Sequence, residues 1–292
     1  GLGDVWYDAP NNQLFVSNFF DGKVYRITGL NNPTGTVAGI SYDFPGTAIG
    51  TPSAGFVARG ERVWALATYN NRLYFSVWNE DRVNQNSGGF NEIWSVGLSG
   101  GVPTGSAVLE HKMSSLTTTI LENYSSPVSD IHFSKTGNML VAERSIYGDV
   151  GNSYTAWSNN AHRGRIIELS PSGSWTSERI FHVGNAYNTG STASYHANSS
   201  GGTDYGYESF NPAAMPKPTK CDSMVWGTGD ALRFPGYNAN GPADGSSLSC
   251  GGGFGDYVYG IAGMRWTGNS VQPSSPNFVK KTSIYIDVDN NI

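Results

Sequence analysis

The feature that most constrains this chain is a degenerate internal repeat. Residues 4–27 read DVWYDAPNNQLFVSNFFDGKVYRI, and residues 62–96 read RVWALATYNNRLYFSVWNEDRVNQNSGGFNEIWSV. Residues 129–169 open with SDIHFSKTGNMLVAERSIYGD and end in HRGRIIEL. Each stretch runs apolar strand, Asn-containing turn, second apolar strand, polar loop, third strand. The turns are Asn11-Asn12, Asn70-Asn71 and Thr136-Gly137-Asn138. Asn and Gly tolerate the left-handed backbone that tight hairpins need. Two weaker copies begin at Asp204-Tyr205-Gly206-Tyr207 and at Tyr259-Gly260-Ile261.

Third strands are expected near residues 23, 92, 165, 230 and 283, and the alternation within them is that of β-structure. The one candidate helix, Ala107–Tyr124, carries Ser and Thr runs that disfavour helix, so a fourth strand of the second unit is expected there. Short sheets repeated at such intervals are the signature of a β-propeller. The expectation is a single all-β domain over residues 1–292. It has five blades at about 1–55, 56–125, 126–200, 201–256 and 257–292, or six if an insert forms its own sheet. The ring is expected to close by pairing its first and last segments. Two packed sandwiches are the competing architecture.

Composition narrows the function classes. Charged residues are 14% and the net charge is -5, so the chain lacks the basic face of a nucleic-acid binder. Aromatics at 13% argue against disorder, and no apolar run approaches membrane-helix length. Cys221 and Cys250 lie in a loop-rich stretch, where a disulfide is the expectation and two buried thiols the alternative.

The segment Asn11–Asn18, followed by Gly22-Lys23-Val24-Tyr25-Arg26-Ile27, resembles the blade pattern of NHL and gluconolactonase-like propellers. The whole chain is similar in style to propeller modules of very large secreted bacterial surface proteins, which also end in an acidic D-x-D tail. Here that tail is Asp287-Val288-Asp289. The first resemblance implies a propeller with a metal at the channel mouth, held by a Glu, Asn and Asp set that has no recognisable copy in this sequence.

First strands of propeller blades line the central channel. Aligning them on their apolar residues places Asp4, Arg62, Asp130, Asp204 and Gly260 at one level. Asp4, Asp130 and Asp204 could hold Ca²⁺ with waters and carbonyls, since hard oxygen ligands in loose geometry suit calcium. Alternatively, Arg62 pairs with these carboxylates and the ring is structural. His132, beside Asp130, is read as a structural histidine facing the channel or a neighbouring blade. Asp287, Asp289 and Asn291 have the spacing of a calcium-loop start without its Gly or later Glu.

No HExxH, GxSxG elbow or phosphate loop is present, so no catalytic residue is assigned. Most tryptophans should pack between blades. Tyr154 and Trp157, in the polar loop 147–163, could stack on sugar rings or contact a protein partner, or could pin the loop to the surface. Asn123 and Asn198 begin glycosylation sequons. These features lead to the expectation of a non-catalytic extracellular or cell-surface module. It would act in adhesion, surface structure or filament assembly, with protein (itself or a surface partner) or glycan as partner and without nucleic acid or membrane insertion. A calcium-dependent lactonase-like hydrolase and a carbohydrate-binding module are the alternatives.

Overall fold

The computed structural model describes residues 1–31, 38–44, 46–51, 55–81, 84–85, 89–115, 124–144, 146, 164–171, 175, 177–181, 183, 199–206, 224–229, 260–265 and 283–287. Their strands form four antiparallel sheets of four consecutive strands each. Blade 1 holds β1 (Leu2–Asp8), β2 (Gln13–Asn18), β3 (Lys23–Thr28) and β4 (Ala38–Asp43). Blade 2 holds β5 (Arg62–Tyr69), β6 (Arg72–Trp78), β7 (Glu92–Ser99) and β8 (Val102–Lys112). Blade 3 holds β9 (Val128–Phe133), β10 (Met139–Glu143), β11 (Ile166–Ser170) and β12 (Ser177–Phe181). Blade 4 holds β13 (Ser199–Gly206), β14 (Met224–Gly229), β15 (Gly260–Arg265) and β16 (Ser283–Asp287).

The fold is an all-β propeller with four blades, not the five or six expected. The last two sequence units are one sheet: β15 pairs with β14, and β16 pairs with β15. The segment at Gly260 is therefore a third strand rather than the first strand of a fifth blade. Alternation marks a segment as a strand but does not name its partner, and residues 230–259 separate β14 from β15. The third strand expected at 230–234 lies outside the described residues. Each described sheet uses only its own strands, so the expected pairing of first and last segments does not occur among them. Of the strand expected over Ala107–Tyr124, residues 107–112 form the end of β8, and residues 116–123 lie outside the described residues.

Local sequence accounts for the hairpins. Asn70 and Asn71 between β5 and β6 take φ of 46° and 56°, the pair of left-handed residues a tight hairpin requires. Asn12 (φ 48°) ends the turn between β1 and β2, and Gly137 (φ 89°) serves the β9–β10 turn. Apolar residues facing between blades make three cores. Phe15 and Val24 meet Leu66, Phe75 and Val96 between blades 1 and 2. Ala67, Tyr74 and Ile93 meet Ile131, Val141 and Ile167 between blades 2 and 3. Leu140, Ile166 and Phe181 meet Val225, Ala262 and Met264 between blades 3 and 4. Aromatic rings fill the wedges as expected: Trp64 and Trp78 pack with Phe19, and Tyr69 stacks on Phe133 at 4.5 Å.

Candidate functional site at the propeller axis

The first strands of successive blades pack against one another at the centre. All four blades carry a register irregularity between first and second strand. It falls between Leu2 and Val5, between Val63 and Leu66, opposite Ala142/Glu143, and between Ser199 and Thr203. A bulge leaves an extra backbone N–H without a ladder partner. In three blades a hydroxyl on the second strand takes it. Asp4 N–H donates to Ser17 Oγ (2.8 Å), Ala65 N–H to Ser76 Oγ (2.9 Å) and Gly202 N–H to Thr228 Oγ1 (2.9 Å).

The hydroxyl then reaches the next blade. Ser17 Oγ donates to Trp64 O (2.5 Å) and Ser76 Oγ to Val128 O (2.7 Å). In blade 3 the corresponding β10 residue is Ala142, and Ser129 of β9 supplies the bond instead, donating to Gly201 O (2.8 Å). Each of the three blade junctions thus contains one directional hydroxyl-to-carbonyl bond.

This register fixes which residues are equivalent. The bulge position holds Asp4, Ala65, Asp130 and Gly202. Two residues on stand Trp6, Ala67, His132 and Asp204. The sequence alignment at the axis was therefore displaced by three residues in blade 2 and two in blade 4. Apolar alternation does not reveal where a bulge sits. Arg62 is not the counterpart of Asp4. Its guanidinium lies over Trp78 (4.8 Å) and Phe56 (5.4 Å), and its Nε donates to Val57 O (2.8 Å).

The axial cation is His132. Its Nε2 lies 3.4 Å from Asp130 Oδ1 and its Nδ1 lies 3.1 Å from Asp204 Oδ1. Burial opposes its charge, but these two carboxylates overcome the penalty and raise its pKa to about 10. The imidazolium clamps blade 3 to blade 4, and its ring meets Trp6 of blade 1 edge-on at 5.2 Å. The sequence placed His132 toward the channel or a neighbouring blade, and it meets residues of blades 1 and 4.

The carboxylates also hold blades together. Asp4 Oδ2 accepts Leu66 N–H of blade 2 (2.8 Å), and Oδ1 accepts Val5 N–H (2.7 Å). Asp130 Oδ2 accepts Thr203 N–H of blade 4 (2.8 Å). Asp204 Oδ1 also accepts Tyr205 N–H (2.7 Å). Burial pushes the Asp4 carboxyl up to about 6, and the charge of Asp130 adds to this against the opposing Leu66 hydrogen bond. Burial also acts to raise Asp204, but its hydrogen bond to His132 and the imidazolium charge more than offset this and hold it below the usual carboxylate range.

Five of the six oxygens of Asp4, Asp130 and Asp204 are engaged in this way. Among the described residues, no three His, Cys, Asp or Glu side chains form a group with metal-binding spacing. Of the expected calcium set, Asp130 and Asp204 meet at His132, whereas the Asp4 carboxylate accepts the amides of Val5 and Leu66.

The other candidates fall elsewhere. Tyr154, Trp157, Cys221, Cys250, Asn123, Asn198, Asp289 and Asn291 all lie outside the described residues. Two features were missed in the sequence. One is the hydroxyl relay, signalled by Phe15-x-Ser17, Tyr74-x-Ser76 and Trp226-x-Thr228. The other is a buried ion pair in blade 3. Arg165 Nε and Nη2 donate to Glu143 at 2.7 and 2.6 Å, and both side chains are almost fully buried. Neither of those residues stands in a motif that separates it from surface charge.

No protein-family model matches the chain, and no curated protein matches it. The NHL and gluconolactonase resemblance therefore has no family match behind it. Among solved structures, the chain is similar to an α-L-arabinofuranosidase from Lactobacillus brevis. The identity is 9% and the TM-score 0.44, over 97% of this chain and 71% of that one.

Proposed function

We propose that this chain is a non-catalytic propeller module of an extracellular or cell-surface protein. It serves adhesion, surface structure or filament assembly through its loops and blade faces, with another protein, itself or a glycan as partner. One observation carries the non-catalytic part of the reading: five of six axial carboxylate oxygens are engaged in bonds to backbone amides or His132. A hydrolytic site needs carboxylates turned toward a substrate, with one free to exchange a proton. The extracellular setting rests on the low charge, the polar loops and the style of the sequence. In that setting a Cys221–Cys250 disulfide and glycans at Asn123 and Asn198 belong to the proposal, as does stacking of a sugar on Trp157 and Tyr154.

One observation favours a second reading, a lactonase-like hydrolase that uses calcium. The Asp4 carboxyl is pushed up to about 6 while Asp204 is held down, and such divergence can separate an acid from a base. The two readings part in one assay. The purified chain is incubated with lactone and chromogenic glycoside panels, with and without calcium, and in parallel is applied to glycan arrays. The structural reading expects no turnover in any condition. Turnover abolished by Asp4→Asn or by Asp204→Asn would overturn it.

A further inference from the structure

The three blade junctions share one polarity, and among the described residues no apolar core joins blade 4 to blade 1. At each junction a second-strand aromatic or leucine of one blade packs against apolar residues of the next. Phe15, Tyr74 and Leu140 are the leading residues and are buried. Their counterpart in blade 4, Trp226, is only half-buried. Ser17 and Ser76 are buried and reach forward to the next blade, whereas Thr228 is exposed. Its hydroxyl turns back to Gly202 O at 3.5 Å, beyond the range of a good hydroxyl hydrogen bond.

The receiving side shows the converse. Leu66 and Ile131 are fully buried against the preceding blade. Their counterpart in blade 1, Val5, is 52% exposed, with Leu2 at 69% and Tyr7 at 52% beside it. Leu14, Tyr25 and Ile27, which share this face by register, are half-buried. Contiguous apolar surface of this kind on a sheet face marks an interaction site.

We propose that the blade 4 end of one copy docks on the blade 1 face of a second copy, repeating between chains the junction that joins blades within each chain. The inference rests on the self-assembly part of the function proposed above. The occupant is a second copy because the two ends are complementary in kind. One presents a hydroxyl donor beside a tryptophan; the other presents an apolar strand whose carbonyl at Gly3 is equivalent to two of the three acceptors, Trp64 and Gly201, while the third, Val128, stands one residue earlier. Each copy carries both ends, and they differ. The contact is therefore heterologous, and it propagates into an open series unless the rotation closes it.

Light scattering and sedimentation over a wide concentration range test this. The wild-type chain is expected to form concentration-dependent oligomers. Leu2→Glu spoils the receiving face at a well-exposed site, and Thr228→Glu spoils the donating end. Each variant alone is expected to stay monomeric, with its apparent Kd raised roughly tenfold or more. Mixed together, the two are expected to form a heterodimer that grows no further, because each retains the end the other lacks. Should Thr228→Glu disturb the bulge, as a lowered Tm would show, Tyr7→Glu charges the exposed receiving face, leaves the Gly202 bond to Thr228 intact, and is expected to weaken assembly.

A wild-type chain that stays monomeric at every concentration would overturn the proposal. So would oligomers that neither variant weakens. None of these outcomes bears on the non-catalytic reading, and enzymatic turnover would not bear on the docking.

Discussion

Two ionic groups in this propeller do different work. The Glu143–Arg165 pair lies inside blade 3, where Ser114 adds its carbonyl and hydroxyl as acceptors for the guanidinium. The Asp130–His132–Asp204 group lies at the axis, where Asp204 is 63% exposed and His132 26%. Removing one member of the first leaves a bare charge without water. Removing one member of the second leaves a charge that solvent can reach. A buried pair thus imposes a large penalty when half is lost and stabilises little as a whole, whereas the axial group can be trimmed gradually.

The largest expected effect follows. Glu143→Ala should destabilise the fold by about 3–5 kcal/mol in denaturant titration. The double change Glu143→Met with Arg165→Met should recover most of that loss, because no charge is left stranded. A double variant as unstable as the single one would break the comparison.

The axial group should instead announce itself through pH. His132 has a folded-state pKa raised to about 10, so the folded chain keeps a proton that the unfolded chain releases near 6.5. Its stabilisation is complete below about pH 6.5 and is lost as pH rises toward 10. Thermal melts should show that decline in the wild type and a flatter curve in His132→Asn.

Asp4 gives a slope of the same sign in a lower pH window. Its folded-state pKa is raised to about 6, so the folded chain binds its proton more tightly than the unfolded one, and stability falls as pH rises from about 4 to 6. In Asp4→Asn that fall should be absent, with a Tm above neutral pH equal to or higher than wild type. The smallest effect belongs to Asp204→Asn, which removes an exposed partner and should cost about 0–1 kcal/mol. It should also lower the His132 pKa in an NMR titration, while Glu143→Ala should leave that pKa where it is.

Much of the scaffold was legible in the sequence, because hairpin chemistry is local. The Asn-Asn turns and the alternation in Lys23-Val24-Tyr25-Arg26-Ile27 specify hairpins without knowledge of distant partners. Blade count was not legible, since Gly260–Arg265 reads equally well as a first or a third strand. Its partner β14 is reached only across residues 230–259. At the axis, Asp4, Asp130, Asp204 and His132 were named before their roles could be seen. The bulges that shift Ala65 into line with Asp4, and Gly202 with Asp130, leave no mark in hydropathy. Glu143 and Arg165 carry nothing in their flanking residues that foretells burial.

The bulge repeated in every first strand also bears on solubility. A strand at a sheet edge offers an unpaired row of amides and carbonyls, and a flat one recruits foreign strands into fibrils. In β1 that row is interrupted between Leu2 and Val5, and Asp4 and Ser17 occupy the polar groups at the break. The apolar face of blade 1 can then be exposed while its edge remains a poor template. On the docking proposed above, association of copies is directed face to face, and the interrupted row makes strand addition at the same edge less favourable.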